Sequence, residues 1–370
     1  MRDPELALGP LDWSSGRACL TGGRLIYSLR EPFPHNLESN LWELRINSRT
    51  GHPAGTPRKL THWSGINIEA ISASAEGKIL SILKENVQTD VYISELEANG
   101  TRLKTPRRLT LDERFDWPGP WMPDSKAIVF TSNRNGTWDL FKQAIHQPSA
   151  ELLVSGPDVK IAKAVTPDGT WLLYASQNEK TTSAQMRLMR IPIQGGPSEP
   201  VIGVGAFEEI TCAKRPPSTA CAFVNVGKRG WTFSKYDLQT RERREFANVE
   251  HAVDWDLFFD GSRIAVLINT GTGSRIRIVR LTGELEREFA VGGLGIETVY
   301  CSADGKGLYL ATAPYAGTST LLYTDLLGKV QVAWQGEGNF GGAVYASPDG
   351  RYLSITRGTK TNDAWLMENF

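Results

Sequence analysis

A short turn phrase recurs along the whole chain. Its cleanest copies read Trp121-Met-Pro-Asp-Ser-Lys126, Val165-Thr-Pro-Asp-Gly-Thr170 and Ala346-Ser-Pro-Asp-Gly-Arg351. Looser copies are Ala73-Ser-Ala-Glu-Gly-Lys78, Phe258-Phe-Asp-Gly-Ser-Arg263 and Cys301-Ser-Ala-Asp-Gly-Lys306. Each phrase has a physical reading. Proline presets φ, aspartate bonds to nearby backbone, and glycine supplies positive φ. A fixed period of this kind means an array of like units.

The residue before each following β-rich run serves as an anchor. The anchors are Gly23, Gly77, Ser125, Gly169, Ser218, Gly261, Gly305 and Gly350, with successive spacings of 54, 48, 44, 49, 43, 44 and 45. After each anchor come an apolar run, a polar loop, a second β-rich run and a short fourth segment. Four short strands per copy at this spacing predict propeller blades. No long segment with a 3.6-residue apolar period competes, so helix is expected to be scarce. Runs such as Ala127–Thr131 are apolar on both faces, as sheets stacked against neighbouring sheets require. The fold class read from the sequence is all-β, an eight-bladed β-propeller of four-stranded antiparallel blades. Seven blades is the alternative, if the irregular first or fifth copy is something else. The repeat makes residues 1–370 one domain. The last copy stops at its third strand, so a fourth has to come from the N-terminal segment within Glu5–Leu8, or be missing.

Charge bounds the partners. The chain has 41 basic and 41 acidic side chains and no long basic run, which argues against nucleic acid and anionic membrane surfaces. No apolar run of about 18 residues could form a spanning helix. The opening Met-Arg-Asp-Pro-Glu-Leu has no apolar signal-peptide core and reads as the start of a domain cut from a longer protein. A monomer is expected.

Cys212 and Cys221 flank Ala-Lys-Arg-Pro-Pro-Ser-Thr-Ala, where other copies carry the turn phrase. With the turn centred on Pro216-Pro217, the two cysteines fall opposite one another on antiparallel strands, within disulfide range. Two free buried thiols are the alternative reading. Cys19 and Cys301 have no visible partner.

The phrase, followed by an apolar strand and an Asp-(Leu/Val)-(Phe/Tyr) strand, resembles the WD40-like propellers of the TolB and dipeptidyl-peptidase type. The best local matches are Trp121–Ile145 and Ala346–Phe370. The chain is also similar to the C-terminal, sensor-like propellers of bacterial eukaryotic-like serine/threonine kinases and winged-helix membrane regulators. Arg24–Glu31, Leu109–Arg114, Cys212-Ala-Lys-Arg and Trp365–Phe370 carry that likeness. It implies an extracytoplasmic propeller in a larger signalling protein. No kinase motif or winged helix is present, so those activities do not carry over.

Other motifs dissolve into architecture. Gly336-Glu-Gly-Asn-Phe-Gly341 fits G-x-G-x-x-G but precedes a strand rather than a helix, so no dinucleotide cofactor is implied. The Asp residues at 124, 168, 260, 304 and 349 repeat at one turn in different blades and are read as structural. No G-x-S-x-G elbow exists. The five histidines show no metal-binding spacing, and no metal or other cofactor is expected.

Function then has to sit in loops. Those that join one blade to the next gather at one mouth of a propeller's channel, where aromatic and charged groups make a binding-site expectation. The binding candidates are Trp63, Arg114, Asp116, Trp117, Glu208, His251, Asp254 and Trp255. The leading expectation is a non-catalytic propeller, the sensory or interaction domain of a larger bacterial signalling protein. It would bind a protein or a small-molecule or carbohydrate ligand. The alternative is a propeller-fold carbohydrate-active enzyme, a lyase or hydrolase, with His251, Asp254, Glu208 and Arg114 as its groups. A rim-mediated assembly platform is a third possibility.

Overall fold

The turn phrase forms as its chemistry dictates. In the computed structural model, the Asp124, Asp168, Asp260, Asp304 and Asp349 carboxylates each accept the backbone N–H two residues on, at 3.0–3.1 Å. The residue after the aspartate takes positive φ, for example 71° at Gly169 and 73° at Gly350. Close approach also demands glycine there. A Cβ on Gly169 would lie 3.1 Å from Pro123, and one on Gly350 3.3 Å from Ala303. Each turn therefore nests on the turn of the neighbouring blade. Ser125 has φ 60° in place of glycine, and its hydroxyl accepts the Asp349 N–H at 3.0 Å.

The structure describes residues 17–31, 38–112, 114–177, 186–202, 209–238, 240–271, 273–292, 295–313, 317–337, 343–368 and 370. Strand is their predominant structure, and Ala98–Gly100 forms the one 3-10 turn among them. The proposed closing segment Glu5–Leu8 lies outside the described residues. All eight repeat turns are present as strand-connecting turns.

The chain forms two compact units, Met1–Val87 with Lys360–Phe370, and Gln88–Thr359. The first holds two of the repeat copies. One is the sheet Ala18–Thr21, Arg24–Arg30, Ser39–Arg45 and Arg58–Lys59. The other places Asn67–Ala73 beside residues 79–87, with 360–368 as the next strand. Ile26, Leu41, Ile68, Leu80 and Ile82 form the core between these sheets, with Met367 and Phe370 packed on it.

The second unit holds the other six copies. Blades one to five begin with the inner strands Asp116–Trp121, Val159–Val165, Glu209–Cys212, Ala252–Leu257 and Ile296–Cys301, and each is a four-stranded antiparallel sheet. Blade six has Val344–Ala346 innermost, then residues 352–359, then 88–97, then Arg107–Arg108. The six inner strands contact one another in cyclic order, and the sixth contacts the first. The unit is thus a closed ring. An apolar cluster seals each seam. Phe130 meets Val91 and Ile93 across the six–one seam, and Phe233 meets Trp255 and Ile264 across the three–four seam. Two hydrogen bonds join the turn ends of blades one and six, Trp121 Nε1–H to the Tyr345 carbonyl at 2.8 Å and the Ser125–Asp349 bond already described.

Second strands are apolar on both faces, as expected. Gly307–Thr312 is buried at every position. The inner strands carry a bulge, at Ala162/Ala164 in blade two, Ala252/Asp254 in blade four and Ile296/Thr298 in blade five. A bulge re-aims the extra residue away from the ladder. In blade two that residue is Lys163.

Candidate functional site

Each inner strand runs from an inter-blade loop at one end to a turn phrase at the other. A cavity of about 270 Å³ opens at the turn end of the ring. Blades one, two, three and six wall it. Pro120, Trp121 and Pro123 come from blade one, and Lys163 to Gly169 from blade two. Thr211 to Lys214 and Pro216 come from blade three, and Tyr345, Ala346 and Pro348 from blade six. The proline of the turn phrase therefore does two jobs, setting the turn and presenting a rigid apolar face to the cavity.

The wall from blade three is the exceptional fifth copy. Cys212 and Cys221 are directly opposed in the ladder and form a disulfide. The hairpin between them contains a cis Pro216–Pro217 bond. It is tied to blade four, because the Lys214 and Arg215 N–H groups donate to the Phe259 carbonyl at 2.9 and 3.0 Å. It also reaches blade six, because the Arg215 guanidinium donates to the Pro348 carbonyl at 3.3 Å. In a six-membered ring those blades face each other, so Arg215 bridges the mouth.

Below the cavity the channel wall is acidic and phenolic. Lys163 Nζ is 3.7 Å from Glu209, and Lys214 Nζ is 3.6 Å from Asp256. Lys214 also sits 4.5 Å over the Phe259 ring. Tyr300 and Tyr345 meet edge-to-face at 5.7 Å. Burial, reinforced by the nearby Glu209, Asp254 and Asp256 carboxylates, pushes the Tyr345 phenol well above its ordinary range. Burial likewise raises Asp254 well above the usual carboxylate value, with Glu209 and Asp256 adding to it.

The residues singled out in the sequence fall mostly at the other end of the inner strands. Asp116 and Trp117 begin blade one. Asp116 is fully buried and bound by Arg134 at 3.1 and 3.3 Å. Trp117 stacks on Phe115 at 6.2 Å. Arg114 is exposed on the preceding loop, its N–H donated to Asp112. His251 is exposed in the turn before blade four, with φ 57°. Asp254 is committed to its neighbour, accepting the Val299 N–H of blade five at 2.7 Å. Trp255 is only 5 % exposed and packs edge-on against Phe233 at 5.4 Å, filling a seam. Trp63 belongs to the first unit, where it packs against Trp365 at 5.7 Å and Asn40 holds its backbone. Glu208 lies outside the described residues.

Sequence reasoning passed over Lys163, Lys214, Trp121 and Tyr345. Trp121 opens one of the turn phrases and Lys163 lies two residues before another, so the phrase itself was the available signal. Among the described residues, no cluster of three or more metal-ligating side chains occurs, and no helix is long and apolar enough to cross a membrane.

No family model and no curated protein sequence matches the chain. Solved structures do. A structure described as TolB from Agrobacterium tumefaciens aligns with a TM-score of 0.56 at 16% identity, over 74% of this chain and 99% of that one. TolB from Acinetobacter baumannii gives 0.50 at 12%, over 90% and 80%. A chain of a nidogen/laminin complex gives 0.51 at 12%, over 73% and 98%. At these identities the likeness is one of fold: the chain is an all-β propeller of the kind found in TolB.

Proposed function

We propose that this chain is a non-catalytic binding module and that its ligand seats in the cavity at the turn end of the six-bladed ring. One observation carries the reading: four blades converge there on a concave, largely apolar site of about 270 Å³ with two lysines in its wall. Such a site, apolar with a few placed polar groups, is the usual form of a ligand pocket. The buried Cys212–Cys221 disulfide supports an oxidising, extracytoplasmic setting. The sequence resemblance to sensor-like propellers supports a place in a larger signalling protein.

The test is a ligand-observed NMR screen of ring-sized acids, amides and amines against the wild-type chain and Thr211→Trp. Thr211 lines the cavity from the blade-three inner strand, opposite Ala222. An indole there fills the space. The expected result is a set of binders that lose their signal in Thr211→Trp while the far-ultraviolet dichroism is unchanged. Binders that ignore the substitution, or no binders at all, would refute the reading.

A further inference from the structure

We infer that the two longest strands form an exchange point, at which the chain passes between the six-bladed ring with its separate two-copy unit and a single array of eight blades. In six of the eight copies the second and third strands pair with each other across a hairpin, as Ala127–Ser132 does with Asp139–Ala144 and Arg263–Asn269 with Ser274–Arg280. In copies two and eight no such hairpin forms. The two strands of each copy run on as one, Ile79–Glu97 and Tyr352–Glu368, and the partners are traded. The second strand of copy two takes the third strand of copy eight, and the second strand of copy eight takes the third strand of copy two.

The trade is neutral in register. In blade one Phe130, five residues past the anchor Ser125, opposes Phe141, two past the aspartate that opens its strand. The equivalent positions are Ile82 and Tyr92 in copy two, and Ile355 and Trp365 in copy eight. The bond from the Leu96 N–H to the Arg351 carbonyl fixes the antiparallel ladder. Carried along both strands, it sets Tyr92 opposite Ile355 and Ile82 opposite Trp365. Contacts agree at both ends: Lys84 lies 4.7 Å over the Trp365 ring, and Arg357 lies 5.5 Å over the Tyr92 ring. Each isoleucine therefore faces an aromatic ring in either pairing, and the ladders are of the same kind and length. The stretches at the crossing, Asn86-Val-Gln88 and Gly358-Thr-Lys-Thr-Asn362, have the length of hairpin loops. Exchange of like elements costs little, because every contact given up is regained with an equivalent partner. Two packings of one sequence that differ by little free energy are the basis of a fold switch.

The exchange decides whether the cavity exists. Blades one and six meet through the Trp121–Tyr345 and Ser125–Asp349 bonds, and both blades wall the cavity. In an array that follows chain order, copies one and two stand between them and the two walls part. This consequence rests on the binding-module reading; the exchange itself does not.

The experiment places a cysteine pair that only a closed hairpin in copy eight can join, Arg357→Cys with Asp363→Cys. Along one continuous strand these positions lie about 20 Å apart, far beyond disulfide reach. Across the closed hairpin they are directly opposed. The folded chain is held in a glutathione redox buffer, and the new bond is told apart from any involving the free Cys19 and Cys301 by peptide mass mapping. The bond should accumulate over hours until most chains carry it, because oxidation withdraws the minor pairing from the equilibrium. Amides of residues 79–97 should meanwhile keep their protection from hydrogen exchange to within about twofold, since they regain a partner within copy two. No bond in the folded chain, with ready oxidation of the same thiols in urea, overturns the inference. So does a bond accompanied by a loss of protection of about tenfold or more at residues 79–87, because strand 360–368 has then only frayed away. Should the variant not fold, the wild-type chain decides. Its amides at 88–97 and 352–356 should exchange together in one correlated step, as re-pairing breaks both ladders at once, and independent exchange overturns the inference. Failure of the ligand screen against Thr211→Trp bears on the cavity alone and leaves these readouts untouched.

Discussion

Replacing Asp116 with asparagine will change how the stability of the ring depends on pH. The side chain begins the inner strand of blade one and has no exposed surface. Arg134 bonds to both carboxylate oxygens, at 3.1 and 3.3 Å. Burial outweighs the hydrogen bonds and the guanidinium charge, with the Asp112 carboxylate adding to it, and Asp116 is raised from 3.8 to about 6. The folded chain therefore holds this proton more tightly than the unfolded chain. Its contribution is fully present below the unfolded value, and it is lost as pH rises through the folded one. The span corresponds to about 3 kcal/mol between pH 4 and pH 6. Asparagine is neutral at every pH and cannot show this loss. Urea titrations followed by tryptophan fluorescence at pH 4.5, 5.5 and 7 provide the assay. The difference in stability between Asp116→Asn and wild type should grow in favour of the variant by about 2 kcal/mol across that range, at constant m. A difference that is flat with pH, or that moves against the variant, would refute the reasoning, because the Arg134 pairing would then dominate the burial cost.

Two further outcomes follow from buried chemistry. Cys212→Ser with Cys221→Ser should lower stability by about 2–3 kcal/mol, the chain-entropy worth of a ten-residue loop; equal urea midpoints for the variant and the oxidised wild type would count against this. Lys160 is 4 % exposed and its Nζ bonds Asp139 at 2.9 Å and the Gly156 and Asp158 carbonyls at 2.6 Å. Lys160→Met should therefore cost about 3–5 kcal/mol, and Lys160→Met with Asp139→Leu distinctly less, because the unpaired buried carboxylate is removed as well. Equal losses in the two variants would show that the charge pairing is not what matters.

The sequence made the repeat legible because each turn depends on local chemistry. An aspartate that caps its own turn and a residue with positive φ leave a mark in six adjacent positions. The scarcity of helix and the two-faced apolar strands were readable for the same reason. The path of the chain through residues 84–89 and 357–363 was not. Both stretches are polar and read as loops, yet both continue as strand within Ile79–Glu97 and Tyr352–Glu368. Backbone ladder bonds hold such segments in extended form whatever their side chains, and partners such as Glu85 and Lys360 are far apart in sequence. The division of eight copies into two and six was hidden with it. The cavity was missed for a different reason. Turn residues were taken to be fully explained by turning, although proline and glycine at a ring mouth also set its shape.

The sixth blade carries a consequence for how the ring is made. Its inner two strands come from residues 344–359 and its outer two from 88–108, and the Leu96 N–H donates to the Arg351 carbonyl across more than 250 residues of chain. During synthesis the strand 88–97 emerges before its partner and waits, with an unpaired edge, until residues 352–359 have followed it. Long-range pairing of this kind is slow because loop entropy is lost before contacts repay it, and a waiting edge invites pairing with another chain. The same stitch makes the finished ring cooperative. Blade six cannot come apart without releasing both ends of the ring at once, so the arrangement trades a hazardous assembly for a closed product with no first blade to peel away.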